Sequence, residues 1–212
     1  MYTIHWEYMA GSIVVQAVLE EVGAIYQMRH VDMANGEHKR EEYLRINPVA
    51  RVPALTLPDG KTIGETSAIV TVLGEHFPNS KLYPEPNSAN RADFLFWLNV
   101  MATSGYLTIS RGAHPERYAV EPSAINQVEK VALNDLHAFY RVIDSAISGD
   151  PYFLPIGFTP LDIYLAMLVE FSVDKEALYS KYASIAVLCR EVGRRPAFRA
   201  AMETHAIPKH AV

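Results

Sequence analysis

One discontinuity constrains this sequence more than any other: up to about residue 79 apolar residues recur at strand and helix spacing, and after residue 90 only at helix spacing. In residues 2–7, Tyr2, Ile4 and Trp6 alternate with Thr3, His5 and Glu7, the period of a strand with one buried face and one outer face. Helical spacing follows through Val14, Val15, Val18, Leu19 and Val22, and Gly23 is placed to end the helix. Residues 25–31 read as a second strand, so the opening is a βαβ unit with parallel strands. After a loop and short helix up to Pro48, residues 54–63 carry the Pro58-Asp59-Gly60 turn of a hairpin. A helix with Ile69, Val72, Leu73 and Phe77 on one face closes this half at Pro78.

Residues 79–90 hold two prolines, two serines and three asparagines, a linker composition. Beyond them every periodic stretch is helical, for example Val128, Ala132, Leu136, Phe139 and Ile143. The expectation is an α/β domain with βαβαββα order over residues 1–79, a linker over 80–90 and an all-helical domain over 91–212. Thr159-Pro160-Leu161-Asp162 has the spacing of a capping box, with proline at the first helical position.

Composition narrows the function. Nineteen Lys and Arg against twenty-four Asp and Glu give a net charge of -5, without the basic excess of a nucleic-acid binder. Cys189 is the single cysteine and has no partner for a disulfide within the chain. No basic stretch leads into an apolar one at the start, and no apolar run reaches the ~18 residues of a membrane span. These features predict a cytoplasmic chain with neither nucleic acid nor membrane as partner, and no motif calls for a metal.

The segment Asn47-Pro48-Val49-Ala50-Arg51-Val52-Pro53-Ala54-Leu55, then Glu65-Thr66-Ser67-Ala68-Ile69-Val70, then Trp97-Leu98-Asn99 and Gly157-Phe158-Thr159-Pro160-Leu161-Asp162-Ile163, resembles the glutathione S-transferase superfamily, and bacterial beta-like members in particular. The resemblance runs the length of the chain. It implies a thioredoxin-like first domain, a helical second domain, reduced glutathione as co-substrate, a small electrophile as second substrate, and a homodimer. The reaction implied is transfer of the thiolate to an apolar electrophile in detoxification. Dehalogenation, ether cleavage or isomerisation on the same scaffold, or a non-catalytic interaction module, are the alternatives.

The chemistry of the residues is compatible. A helix start favours a carboxylate and an acidic side chain pairs with an ammonium, so Glu65, Thr66 and Ser67 suit an α-amino acid end. The backbone at Val52, ahead of Pro53, can pair with a peptide if that bond is cis. Arg51 and His38, with Lys39 beside it, are candidates for the second carboxylate of glutathione. The resemblance puts a thiolate-stabilising group near the end of the first strand, but the beta-class cysteine position falls at Gly11 and its bundle histidine near Tyr106. Three hydroxyls are left, in the order Ser12, Tyr8, Tyr106, and Ser12 is also placed to cap the first helix. The electrophile pocket is expected between the domains. Tyr106, Ile109, Arg111 and Phe171 are its expected wall, and residues 110–122 are a loop that can reach toward an acidic substrate.

Overall fold

The computed structural model describes residues 1–206; the last six residues of the expected helical domain lie outside them. Its elements run β1 (Tyr2–Trp6), α1 (Ser12–Glu21), β2 (Tyr26–His30), a 3-10 turn (Glu37–Lys39), α2 (Glu41–Leu44), β3 (Ala54–Thr56), β4 (Thr62–Gly64) and α3 (Thr66–His76). Helices alone follow: α4 (Ala89–Val100), α5 (Tyr106–Ala113), α6 (Ile125–Ala146), α7 (Pro160–Glu170), α8 (Lys175–Lys181), α9 (Ala183–Arg194) and α10 (Pro196–His205). The strand order is β2-β1-β3-β4, with β1 parallel to β2 and β3 antiparallel to both of its neighbours. The βαβαββα expectation and the helical second half are what the structure shows.

Two compact units divide the chain, residues 1–83 with the segment from Gly193 onward, and Pro84–Val192. The sequence reading kept everything from residue 91 in the helical domain; the structure returns α10 to the sheet-bearing unit. Periodicity reports that a segment is helical, not which neighbour takes its apolar face. Here Arg195 forks the Glu21 carboxylate with two bonds of 2.6 Å, and Gln16 reaches Thr204 at 3.2 Å. Phe198 and Ala201 supply the buried face of α10.

In the first unit Ile4, Leu55, Val14, Val18, Ile69 and Leu73 are fully buried. His5, read as an outer residue of β1, is only 4% exposed. The buried Tyr43 of α2 stands edge-on to its ring, and Arg29 flanks it from β2. His5 Nε2 pairs with Thr56 Oγ1 at 2.9 Å, which pairs with Thr62 Oγ1 at 2.8 Å. Alternation marks the two faces of a strand, and here both are covered. Burial, then the Arg29 charge, pulls the His5 pKa down to about 4.

In the helical unit α7 is buried from Pro160 to Val169. A π-turn over Met101–Gly105 joins α4 to α5, and Gly105 is needed there: a Cβ would stand 2.5 Å from the Phe139 ring and 3.0 Å from Leu168. Cys189 is buried as a small apolar side chain, its thiol pushed up chiefly by burial. The capping box at Thr159 forms. Asp162 does more than cap, because its carboxylate also accepts the Phe153 N–H at 2.7 Å, beside the Thr159 N–H at 2.7 Å and hydroxyl at 3.1 Å.

Asp162 has no exposed surface, and burial raises its pKa to about 6 against the hydrogen bonds that favour the anion. Asp162→Ala strands two buried N–H groups and is expected to cost about 3 kcal/mol, more than the ~1 kcal/mol of a cap alone. An acid whose folded pKa lies above its unfolded value binds its proton more tightly when folded. Its contribution to stability is present below pH ~4 and lost as pH rises through about 6. Urea denaturation of the wild type and Asp162→Asn at several pH values checks this: the difference in unfolding free energy between pH ~4 and ~7 should shrink in the variant.

Candidate functional site

Strand register decides where the motifs meet. β3 and β4 pair Ala54 with Gly64, so one step outward Pro53 and Glu65 stand at the same open end of the hairpin. β1 pairs His5 with Ala54, which carries Trp6 and Glu7 out beside Pro53 and Val52. Parallel pairing of Trp6 with His30 brings the loop after β2, with His38, to that end as well. Residues 52–53, 65–67, the β1–α1 loop and the loop holding His38 therefore share one end of the sheet, the carboxyl ends of its parallel strands.

The Val52-Pro53 bond is cis. The turn before it is fixed from below: the Arg51 carbonyl accepts the Tyr43 hydroxyl at 2.7 Å and the Asn47 Nδ2 at 2.8 Å, and Asn47 Oδ1 takes the Val49 N–H. The leading Asn of the motif is thus a buried brace. Within the described residues no hydrogen bond takes up the Val52 N–H or C=O. Arg51 itself is exposed, while His38 is half-buried and Lys39 exposed in the 3-10 turn.

Glu65 occupies the N-cap of α3 with φ 61 and ψ 114, a left-handed region costly for a residue with a Cβ. Its exposed side chain makes no capping bond, so the first-turn N–H groups of α3 have no side-chain acceptor. Thr66 is buried and Ser67 half-buried beside it. A helix start with open donors, next to a carboxylate held in a strained backbone, is built to take a group with both charges.

The β1–α1 loop is held by Glu7, a residue the sequence reading did not single out. Its Oε1 accepts the Tyr8 N–H and His30 Nε2, each at 2.8 Å, and its Oε2 accepts the Met33 N–H at 2.9 Å. The Glu7 carbonyl lies 3.1 Å from His205 Nδ1 of α10, and the Met9 N–H donates to the His205 carbonyl. Trp6 packs against Tyr8, His30 and His205 with ring centres 4.8 to 5.0 Å apart. The alternation of β1 gave Glu7 no signal beyond that of an outer polar residue.

The three candidate hydroxyls separate. Ser12 is 0% exposed and donates to the Glu7 carbonyl at 3.4 Å, so it is not presented to a ligand. Nor does it cap α1: the N-cap is Gly11, because the helix begins one residue earlier than the Ser12 cap requires. Tyr8 is half-buried in the same loop, with its ring edge-on to Trp6 and tilted against His30, and among the described residues its hydroxyl has no hydrogen-bond partner. Tyr106 belongs to the helical unit, edge-on to Phe171 at 5.9 Å.

Of the expected electrophile wall, Ile109 and Phe171 line a cavity of the helical unit and Tyr106 and Arg111 do not. Arg111 is instead paired with Asp135 of α6, and residues 110–122 contain α5's last turn and a 3-10 turn in which His114 and Arg117 both pair with Glu116. Each basic group of that loop has a carboxylate partner within the helical unit. Among the described residues no group of His, Cys, Asp and Glu is arranged to hold a metal, and no helix is long and apolar enough to cross a membrane.

A family model described as the N-terminal domain of glutathione S-transferases matches residues 12–76. Glutathione S-transferase GstA of Escherichia coli O157:H7 is 25% identical over 202 residues, 93% of this chain and 96% of that one. Protein URE2 of Eremothecium gossypii is 30% identical over 139 residues, 63% of this chain and 39% of that one. Among solved structures, a glutathione transferase homologue from Sulfitobacter with bound glutathione superposes with a TM-score of 0.87 at 24% identity, covering 98% of this chain and 99% of that one. With the sheet order, the Val52-Pro53 turn and the α3 start already placed, these likenesses place residues 12–76 in the N-terminal domain family of glutathione S-transferases and give the chain the fold of that superfamily.

Proposed function

We propose that the chain is a glutathione transferase that binds reduced glutathione at the carboxyl end of its sheet. The observation that carries this reading is Glu65, held at positive φ as the N-cap of an α3 whose first N–H groups are open. Its carboxylate pairs with the γ-glutamyl ammonium, and the start of α3 at Thr66 and Ser67 receives the α-carboxylate. Val52 offers its N–H and C=O to the cysteinyl backbone, and Arg51 and His38 receive the glycine carboxylate. Glutathione bound to the solved relatives supports the same ligand here.

The bound thiol loses its proton to solvent, and the thiolate is held by a hydroxyl donor. Tyr8 takes this role ahead of Ser12 and Tyr106, because its hydroxyl is open at the sheet end that carries the other contacts. The thiolate then attacks an electrophilic carbon; an S–C bond forms and the leaving group departs, or a proton is taken up where the reaction is an addition. Dehalogenation, ether cleavage and isomerisation use the same first half of the mechanism. Two copies of the chain form the working unit in this reading, in the cytoplasm. The first domain runs over residues 1–79 with a linker over 80–90, and the helical domain supplies the electrophile wall with Ile109 and Phe171, and with Tyr106 beside Phe171.

A second reading is favoured by Gly11 at the beta-class cysteine position together with the enclosed Ser12 hydroxyl: a chain that binds glutathione and does not activate it. A titration of thiolate absorbance in the complex separates the two. A thiol pKa lowered on binding supports the transferase, and an unshifted one supports the interaction module.

Calorimetric titration with reduced glutathione is expected to show saturable binding, weakened about tenfold or more in Glu65→Ala. Equal affinity in the variant removes Glu65 from the site. With an aryl halide as electrophile, Tyr8→Phe is expected to lower turnover about tenfold to a hundredfold at unchanged glutathione affinity, and Ser12→Ala to leave it within about twofold. The reverse pattern would assign the thiolate to Ser12.

A further inference from the structure

Helix α10 lies along α1 and is fastened to it near both of its own ends. Arg195 forks Glu21 at the close of α1, Thr204 receives Gln16, and Phe198 and Ala201 are buried between them. These contacts bring His205, the last residue of α10, to the β1–α1 loop, where it touches the residues on both sides of Tyr8. Its ring Nδ1 lies 3.1 Å from the Glu7 carbonyl, and its own carbonyl accepts the Met9 N–H at 3.2 Å. The ring also stands edge-on to Trp6, against which Tyr8 packs.

Met9 has φ 43, a left-handed backbone that a residue with a Cβ keeps only where its surroundings impose it. The two bonds to His205 impose it here, one on the residue before Tyr8 and one on the strained residue after. Ser12 reaches the same Glu7 carbonyl, but at 3.4 Å. His205 is 0% exposed, and burial, against the Glu7 hydrogen bond, pulls its pKa down to about 4. The ring is therefore uncharged at neutral pH and has a single N–H, which the carbonyl partner assigns to Nδ1. Nε2 is buried and has no hydrogen-bond partner among the described residues, so the one polar bond of the imidazole ends on the loop.

We propose that His205 is a positioning residue for the transferase reaction, holding the β1–α1 loop so that the Tyr8 hydroxyl stands where the glutathione thiolate forms. This rests on the transferase reading above, with Tyr8 as the hydroxyl donor. His205 is sealed from any ligand and acts through Tyr8, because the phenol ring moves with the backbone on either side of it. A misplacement of ~1 Å at a reacting group can cost about a hundredfold in rate, so a bond that fixes this loop bears on turnover rather than on glutathione affinity.

The test separates the hydrogen bond from the packing. The Asn amide nitrogen stands as many bonds from the backbone as Nδ1, so His205→Asn keeps a donor and loses the ring. His205→Phe keeps a ring, loses the donor and forfeits no bond at Nε2, and His205→Leu is a second donor-free variant. Melting temperature, glutathione affinity, turnover with an aryl halide and hydrogen exchange at the Tyr8 and Met9 amides are measured on the full chain. The two donor-free variants are expected to show turnover about tenfold lower at unchanged glutathione affinity, a thiol pKa in the complex raised toward that of free glutathione, and exchange at both amides about tenfold faster. His205→Asn should hold turnover and exchange within about threefold of the wild type, although its smaller side chain lowers the melting temperature more than His205→Phe does. In a Tyr8→Phe background, His205→Phe should lower turnover no further. Turnover that follows melting temperature across the three variants, a His205→Phe loss undiminished in the Tyr8→Phe background, or unchanged amide exchange in both donor-free variants overturns the inference. A wild type that neither shifts the thiol nor turns over, with the exchange pattern as expected, counts against the transferase reading and leaves His205 as the residue that sets the Tyr8 loop.

Discussion

The antiparallel pairing of β3 with both β1 and β4 is the constraint on which the rest of this molecule depends. Three residues of β3 set the register of two neighbours, and register fixes which residues are carried past the sheet's edge. A slip of one residue would turn Leu55 out of the core and move Val52 away from Glu65. The buried Asn47 and Tyr43, both bonded to the Arg51 carbonyl, protect that register by holding the entry to β3. The same hydrogen bonds that stabilise the fold thereby deliver an open peptide edge and an open helix start to one place.

Around this edge the protein holds its loops with carboxylates. Glu7 gathers the β1–α1 loop, β2 and the start of the following loop with three accepted bonds. Glu37 does the same on the other side, taking Arg29 at 3.1 Å and the Asp32 N–H at 2.9 Å. Helix α10 closes the arrangement from the end of the chain through His205, whose ring lies against Trp6. Each of these groups is spent on structure, whereas Glu65 is exposed and makes no capping bond. The helical unit shows a different economy, with Asp162 buried to join α7 to the Phe153 segment and the cations of residues 110–122 paired locally.

Much of this was legible beforehand. The strand and helix periods of residues 2–77, the hairpin turn at Pro58-Asp59-Gly60 and the all-helical remainder come directly from side-chain spacing, because burial of one face imposes a period on the chain. Thr159 and Asp162 announced a capping box, since its bonds join residues three apart. The readings that failed turned on what covers a residue. His5 sat at an outer position of its strand, and Tyr43, thirty-eight places on, together with Arg29 and Thr56, makes that position interior. Ser12 had the right chemistry in the right loop, yet its hydroxyl turns inward to Glu7, a direction no local pattern encodes.

By itself the sequence determined the two kinds of architecture, the order of their elements and the short motifs around Val52-Pro53 and Glu65-Thr66, because these are set by contacts between residues near one another in the chain. Only the tertiary structure decided that α10 belongs with the sheet, that Glu7 secures the loop bearing Tyr8, that Glu65 sits at positive φ with open donors behind it, and that the helical unit holds a cavity. These features rest on partners up to nearly two hundred residues apart. Pairings at that distance are chosen by the shape and charge of the assembled surfaces, on which local spacing is silent.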